Sequence, residues 1–259
     1  MTDLSGSLRG LLTDRIAVVT GAGRGNGRAI AIGLAAAGAA VAVADIDPDS
    51  ATATAEHIMK SGGKALALRW DITDADAARP AAEHIRTQLG TVSILVNNAG
   101  IEGGGYPGEP GFLEGLNRVF EVNVTGTARV TDALMADLKA SSGCIINITS
   151  MMAQIAYQPG AAAYSAAKAA LTQWTRSLAV DLAPHGIRVN AVAPGFFLTS
   201  MTEGTRRDPA RIAYFESRTP MKRMGDPTEL VGPVIFLASG LASYVTGAVL
   251  PVDGGLVAN

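Results

Sequence analysis

Short apolar runs alternate with longer helical stretches along the whole chain, and this rhythm limits its fold more than any other feature. The runs are "IAVVT" (16–20), "AVAVAD" (40–45), "KALALRW" (64–70), "SILVN" (93–97), "CIINIT" (144–149), "IRVNAVA" (187–193) and "TGAVLPV" (246–252). They are apolar without strict two-residue alternation, as strands are when both faces of their sheet are covered. Helical patterns lie between them, near 26–37, 50–61, 75–89, 112–140, 161–183 and 227–238. Strand and helix in turn predict a doubly wound parallel α/β sheet of about seven strands, with helices on both faces, in one domain over 1–259. Ligands of such sheets sit beyond the carboxyl ends of the strands. The residues that follow each strand therefore carry the functional question.

Composition narrows that question. The 21 basic and 23 acidic residues leave a net charge of −2, without the basic footprint of a nucleic-acid or anionic-membrane partner. Cys144 is the only cysteine, so no intrachain disulfide forms, and its setting in "GCIINIT" predicts a buried, inert thiol. The start "MTDLSGSLRG" lacks the basic-then-apolar order of a signal peptide. The nearly uncharged run "AIAIGLAAAGAAVAVA" is Ala-rich and shorter than the roughly 20 apolar residues a membrane helix needs. A soluble, cytoplasmic protein is expected. Two irregular stretches follow strands: "EGGGYPGEPG" (102–111), at the rim of any site, and 195–225, long enough for a substrate lid.

Glycines 21, 23, 25 and 27 in "VVTGAGRGNGRAI" lie between the first strand and the first helix. Such a turn lets the backbone approach a pyrophosphate, and the helix start aims free N–H groups at it. Asp45 ends the next strand about twenty positions on, where a carboxylate accepts hydrogen bonds from an adenosine ribose. Together they predict a dinucleotide site.

"YSAAK" sets Tyr164 and Lys168 four apart on a helix, hence on one face. The pair is either a helix-surface contact or an acid–base unit. A free tyrosine titrates at about 10, and a neighbouring ammonium lowers that value. Ser150, ending "NITS" just upstream, offers a hydroxyl that can polarise a carbonyl.

The glycine turn "TGAGRGNG", "NNAG" (97–100), Asn123 in "VNVTG", Ser150, "YSAAK", "NAVAPGFFLTSM" (190–201) and "DGG" (253–255) occur in this order. With them the chain resembles the short-chain dehydrogenase/reductase family over essentially its whole length. The resemblance implies a Rossmann-like fold and an NAD(P)-dependent oxidoreductase, usually a homotetramer or homodimer, with no metal in its chemistry. It implies a catalytic set of Asn123, Ser150, Tyr164 and Lys168. Tyr164 exchanges the proton of a secondary alcohol, and Ser150 holds the substrate oxygen. Lys168 lowers the tyrosine pKa and binds the nicotinamide ribose, and Asn123 holds a water linking Lys168 to solvent.

The same resemblance implies a dinucleotide along Gly21, Arg24, Gly25, Asn26 and Gly27, with Asp45 and Ile46 at the adenosine ribose. Asn97 and Gly100 lie beside the adenosine, Asp71 at the adenine and Thr199 at the nicotinamide or pyrophosphate, with Ile72, Ala99, Pro194, Gly195 and Phe197 as further cofactor-binding residues. "NNAG" also serves to stabilise the central strand, and Asp71 to cap a turn. Two positions depart from the family pattern: Asn26 stands where an aliphatic residue is usual, and the gap from Ser150 to Tyr164 is one residue longer than the commonest.

Asp45 would repel a 2′-phosphate by about 4 kcal/mol per charge pair at ~4 Å and an effective dielectric near 20. Arg24 pulls the other way, so NAD is the expected cofactor and NADP the weaker one. Met151, Met152, Tyr157 and Phe196 are the expected substrate lining, with Tyr106, Phe197 and Tyr214 as further aromatic candidates, an apolar pocket suited to a ketone or secondary alcohol. A polyol or sugar-type alcohol is the expected substrate. The alternatives are an NADP-linked reductase of 3-oxoacyl thioesters and, more remotely, a non-catalytic dinucleotide sensor.

Overall fold

The computed structural model describes residues 10–156, 159–199 and 201–258. Its strands are β1 (Ile16–Thr20), β2 (Ala40–Asp45), β3 (Lys64–Arg69), β4 (Ile94–Asn97), β5 (Cys144–Ile148), β6 (Arg188–Pro194) and β7 (Val249–Val252). They form one sheet in the order β3-β2-β1-β4-β5-β6-β7, each neighbouring pair parallel. The winding reverses between β1 and β4, so the switch point lies where these two strands end. β3 and β7 are the edges.

The helices are α1 (Gly25–Ala36), α2 (Pro48–Lys60), α3 (Ala78–Gln88), α4 (Phe112–Phe120), α5 (Thr127–Ala133), α6 (Met135–Ala140), α7 (Ala162–Leu182), α8 (Glu203–Arg206), α9 (Pro209–Arg218) and α10 (Val231–Ala238). In β1, Ala17 and Val19 belong to the layer that contains Ile30 and Leu34 of α1, Ile58 of α2 and Val234 of α10. Val18, one step out of phase, packs instead with Ile85 of α3, Val130 of α5 and Leu182 of α7. Side chains alternate across a strand, so a strand buried on both sides has no polar phase to show. Cys144 is buried in the first layer, and desolvation raises its thiol pKa.

Two stretches differ from the sequence expectation. The helix expected over 112–140 is broken into α4, a π-helical turn at Glu121–Gly126, α5 and α6. The turn has local causes: buried Gly126 lies against Ile72, whose Cγ1 would be 2.9 Å from an added Cβ, and the Asn123 side chain is drawn to the backbone of Ile101. The 195–225 region, expected to be irregular, holds α8 and α9. Asp208 caps α9, accepting hydrogen bonds from the N–H groups of Ala210 (2.9 Å) and Arg211 (3.3 Å), with Pro209 in the first turn. Among the described residues no helix is long and apolar enough to cross a membrane.

Candidate active site

A cleft of about 890 Å³ opens beyond the carboxyl ends of the strands, from the glycine turn and Asp45 to Ser150, Tyr164 and Phe196. The first end is built at the switch point. Gly21 and Gly25 have positive φ (+61° and +54°), which a side chain would resist. A Cβ on Gly27 would lie 2.1 Å from the Gly21 carbonyl oxygen and 2.4 Å from Asn98 Nδ2, so α1 starts tight beneath the turn. No side chain caps α1, and Gly25, Asn26 and Gly27 at its start all line the cleft. The Asn26 side-chain oxygen is buried there without a partner in the described structure. An uncapped helix start behind a glycine cradle fits the pyrophosphate of a dinucleotide.

Asp45 is buried at the end of β2. Its Oδ2 accepts from the Gly23 N–H (2.8 Å) and its Oδ1 from the Asp47 N–H (3.0 Å), so the turn itself orients the carboxylate. Arg24 and Ile46 lie exposed beside it on the cleft wall. Asp71 and Ile72 line the same end. Asp71 also closes a turn, accepting from the Thr73 N–H (2.9 Å) and hydroxyl (2.7 Å), and the hydroxyl bond is the main reason its pKa is lowered. Ala99, Gly100, Pro194, Gly195, Phe197 and Thr199 complete the wall.

Asn97 belongs to the sheet layer. Its side chain does not line the cleft but is buried, donating to Asn147 Oδ1 (2.9 Å) of the paired strand and to the Thr131 hydroxyl (3.2 Å) of α5. Asn98, which the sequence reading passed over, is on the cleft and clamps the switch point. Its Nδ2 donates to the carbonyls of Thr20 (2.9 Å) and Gly21 (3.0 Å). Strand alternation held the signal, since adjacent asparagines at the end of β4 cannot face the same way.

At the other end, α7 brings Tyr164 and Lys168 to the cleft wall and β5 delivers Ser150. Ser150 Oγ accepts from the Met152 N–H (3.1 Å) and shares a hydrogen bond with the Tyr164 hydroxyl. Lys168 Nζ donates to the Ile148 carbonyl (2.8 Å) and lies 5.8 Å from the centre of the tyrosine ring. Burial brings the lysine pKa down to about 8, against the pull of Glu102. The tyrosine departs from expectation. Burial first, and the Glu102 carboxylate second, raise its pKa, while the Ser150 hydrogen bond lowers it.

Asn123 stands behind this wall. Its Oδ1 accepts from the Ile101 N–H (2.8 Å) and its Nδ2 donates to the Ile101 carbonyl (2.9 Å). The amide thus ties this turn to the backbone of Ile101.

Met151, Met152 and Phe196 line the cleft and share a cluster with Tyr164 and Phe215 of α9. The rings of Phe196 and Phe215 have centroids 3.8 Å apart. Phe215 therefore takes the packing place given to Tyr214, and neither Tyr214 nor Tyr106 lines the cleft. Tyr157 lies outside the described residues. Glu102, on the cleft near Tyr164 and Lys168, was missed because it comes from a glycine-rich loop more than sixty positions upstream.

A family model described as enoyl-(acyl carrier protein) reductase matches residues 21–257. The chain is similar to 5-keto-D-gluconate 5-reductase of Escherichia coli (strain K12), 36% identical over 203 residues, covering 78% of this chain and 79% of the relative. Among solved structures it is similar to a gluconate 5-dehydrogenase from Burkholderia cenocepacia J2315 in complex with NADP and tartrate. That match has a TM-score of 0.90 and 36% identity over 98% of this chain and 99% of the other. A 7α-hydroxysteroid dehydrogenase complexed with NADH and 7-oxo glycochenodeoxycholic acid matches with a TM-score of 0.90 and 36% identity, over 98% of each chain. The chain belongs to the short-chain dehydrogenase/reductase family. It is an oxidoreductase of that family's alcohol–ketone class, using a nicotinamide dinucleotide.

Proposed function

We propose that the protein oxidises a neutral secondary alcohol of polyol or sugar-alcohol type to its ketone, with NAD preferred over NADP. The observation that carries this reading is the meeting of Ser150, Tyr164 and Lys168 on one wall of a cleft whose far end is a glycine cradle beside Asp45. The dinucleotide, when bound, supplies the hydride acceptor. The chain's own residues do the rest. Ser150, oriented by the Met152 N–H, holds the substrate oxygen against Tyr164. Tyr164 passes the proton: its neutral phenol donates to a ketone, and its ionised form takes the proton of an alcohol. The Lys168 ammonium favours the ionised form, which burial opposes.

Asn123 pins the chain at Ile101 and so holds the loop that follows against this wall. Asp45 accepts the adenosine ribose hydroxyls and opposes a 2′-phosphate. The protein acts in the cytoplasm as a homotetramer or homodimer, and exposed Val180 on α7 and Leu113 on α4 suit such contacts.

The test is a screen of NAD-linked oxidation over polyols, hydroxy acids and cyclic alcohols, with Tyr164→Phe beside the wild type. The variant is expected to lose about 10²–10⁴-fold in kcat/KM while NADH still binds. A wild type that binds NADH yet turns over none of these substrates would sink the reading.

A further inference from the structure

Glu102 is held in place by structure on both sides. The preceding residue, Ile101, has its N–H and its carbonyl pinned by Asn123 at 2.8 and 2.9 Å. After Glu102 the chain turns through Gly103, Gly104 and Gly105, all at positive φ. A Cβ on Gly104 would lie 2.4 Å from that of Ala163, the neighbour of Tyr164, so the loop is docked on α7. The carboxylate is thereby presented to the cleft that Ser150, Tyr164 and Lys168 share.

The carboxylate acts on Tyr164 and Lys168 only through its charge. No hydrogen bond or ion pair joins the Glu102 carboxylate to another described residue. Solvent reaches the residue through the open cleft, yet the surrounding protein crowds it enough to raise its pKa, with the Lys168 ammonium pulling the other way. A carboxylate that accepts no hydrogen bond from the described residues, on the cleft wall near apolar Met151, Met152 and Phe196, is a recognition element for something that enters the cleft.

We propose that Glu102 is a specificity-determining residue, its carboxylate accepting a hydrogen bond from a hydroxyl on the carbon next to the one oxidised. The cleft then selects vicinal diols and polyols over monohydric alcohols. A cationic group at that position would lie close to the Lys168 ammonium, and an anionic one would meet Glu102 itself; a neutral hydroxyl avoids both. This assignment rests on the alcohol-oxidation reading above and narrows its substrate class.

The test compares cis-cyclohexane-1,2-diol with cyclohexanol, which share a ring and differ in the second hydroxyl, on the wild type and Glu102→Gln. Each alcohol is titrated into NADH-saturated protein to obtain a dissociation constant, and NAD-linked oxidation gives kcat/KM. A hydrogen bond to a charged acceptor predicts a wild-type preference for the diol of about tenfold or more, and in Glu102→Gln that ratio falls toward one. The anion cis-2-hydroxycyclohexanecarboxylate should bind Glu102→Gln more tightly than wild type. A wild type with no diol preference, or a variant that keeps it, overturns the assignment. If the binding preference follows Glu102 but neither alcohol is oxidised, the assignment stands and the proposed reaction fails. If both alcohols are oxidised without preference, the reaction stands and the assignment fails.

Discussion

Replacing Asp45 with Asn removes one charge and nearly no volume from the adenosine end of the cleft. In the wild type the two carboxylate oxygens accept from Gly23 and Asp47 at 2.8 and 3.0 Å, so the group cannot swing away from an incoming 2′-phosphate. Two unit charges ~4 Å apart at an effective dielectric near 20 interact by about 4 kcal/mol. The neighbouring wall is open, with Ile46 57% exposed, so solvent screening reduces this to roughly 2 kcal/mol, or about 30-fold in affinity. NADH, by contrast, loses the charge assistance of a ribose hydrogen bond in the variant, about tenfold. The ratio of NADPH to NADH dissociation constants should therefore fall by about two orders of magnitude in Asp45→Asn.

Fluorescence titration of both reduced cofactors measures this ratio directly. It should be done at low and high salt, because shortening the Debye length from about 10 Å to about 3 Å should narrow the wild-type gap and leave the variant's nearly flat. The Asn amide can accept from only one of the two N–H groups, so melting should fall by a few degrees, about 2–4 °C per kcal/mol lost in a chain of this size. A wild type that binds NADPH as tightly as NADH would refute the reasoning. So would an Asp45→Asn ratio that does not move.

Two further outcomes are expected. Gly27→Ala forces a Cβ against the Gly21 carbonyl at 2.1 Å and should abolish measurable NADH binding in the same titration; retained affinity would mean that the turn is not the pyrophosphate cradle. Glu229 is held down to about 2 by Arg223 first and then by the Asp226 N–H, against an ordinary value of 4.5. A depressed folded pKa stabilises above the unfolded value and is lost as pH falls through the folded one. Glu229→Gln should therefore melt about 1–2 °C below wild type at pH 7, and the difference should shrink between about pH 4.5 and 2; a constant difference over that window would be the contrary result.

The strands were legible because each is short, apolar and bounded by turn residues. β1 and β2 fall on the expected residues, and the other strands differ only at their ends. The π-helical turn was not legible, because it depends on Ile72 and Ile101, which only the fold brings to Gly126 and Asn123. The signal for α9 was present in Asp208 and Pro209, a cap and a first-turn proline, but was masked by the surrounding irregular composition. At the site, the spacing of Tyr164 and Lys168 correctly put them on one wall, yet the direction of the tyrosine's shift escaped the sequence. That direction is set by burial and by Glu102, and burial is a property of the assembled cleft. The "NNAG" asparagines show the same limit: the motif marks the switch point, and only the backbone decides that Asn97 goes into the sheet layer and Asn98 to the cleft.

The two open edges of the sheet have a consequence for the protein's behaviour in a crowded solution. β3 begins with Lys64 and ends with Arg69, so an approaching strand meets positive charge at both ends. At the opposite edge, the carbonyls of Ala248 and Val252 accept from Ala191 and Gly195 of the β6 side. The alternation of a parallel ladder then turns Pro251 outward, where it has no N–H to offer. The arrangement that gathers every strand's carboxyl end at one cleft therefore gives little foothold for growth by strand addition.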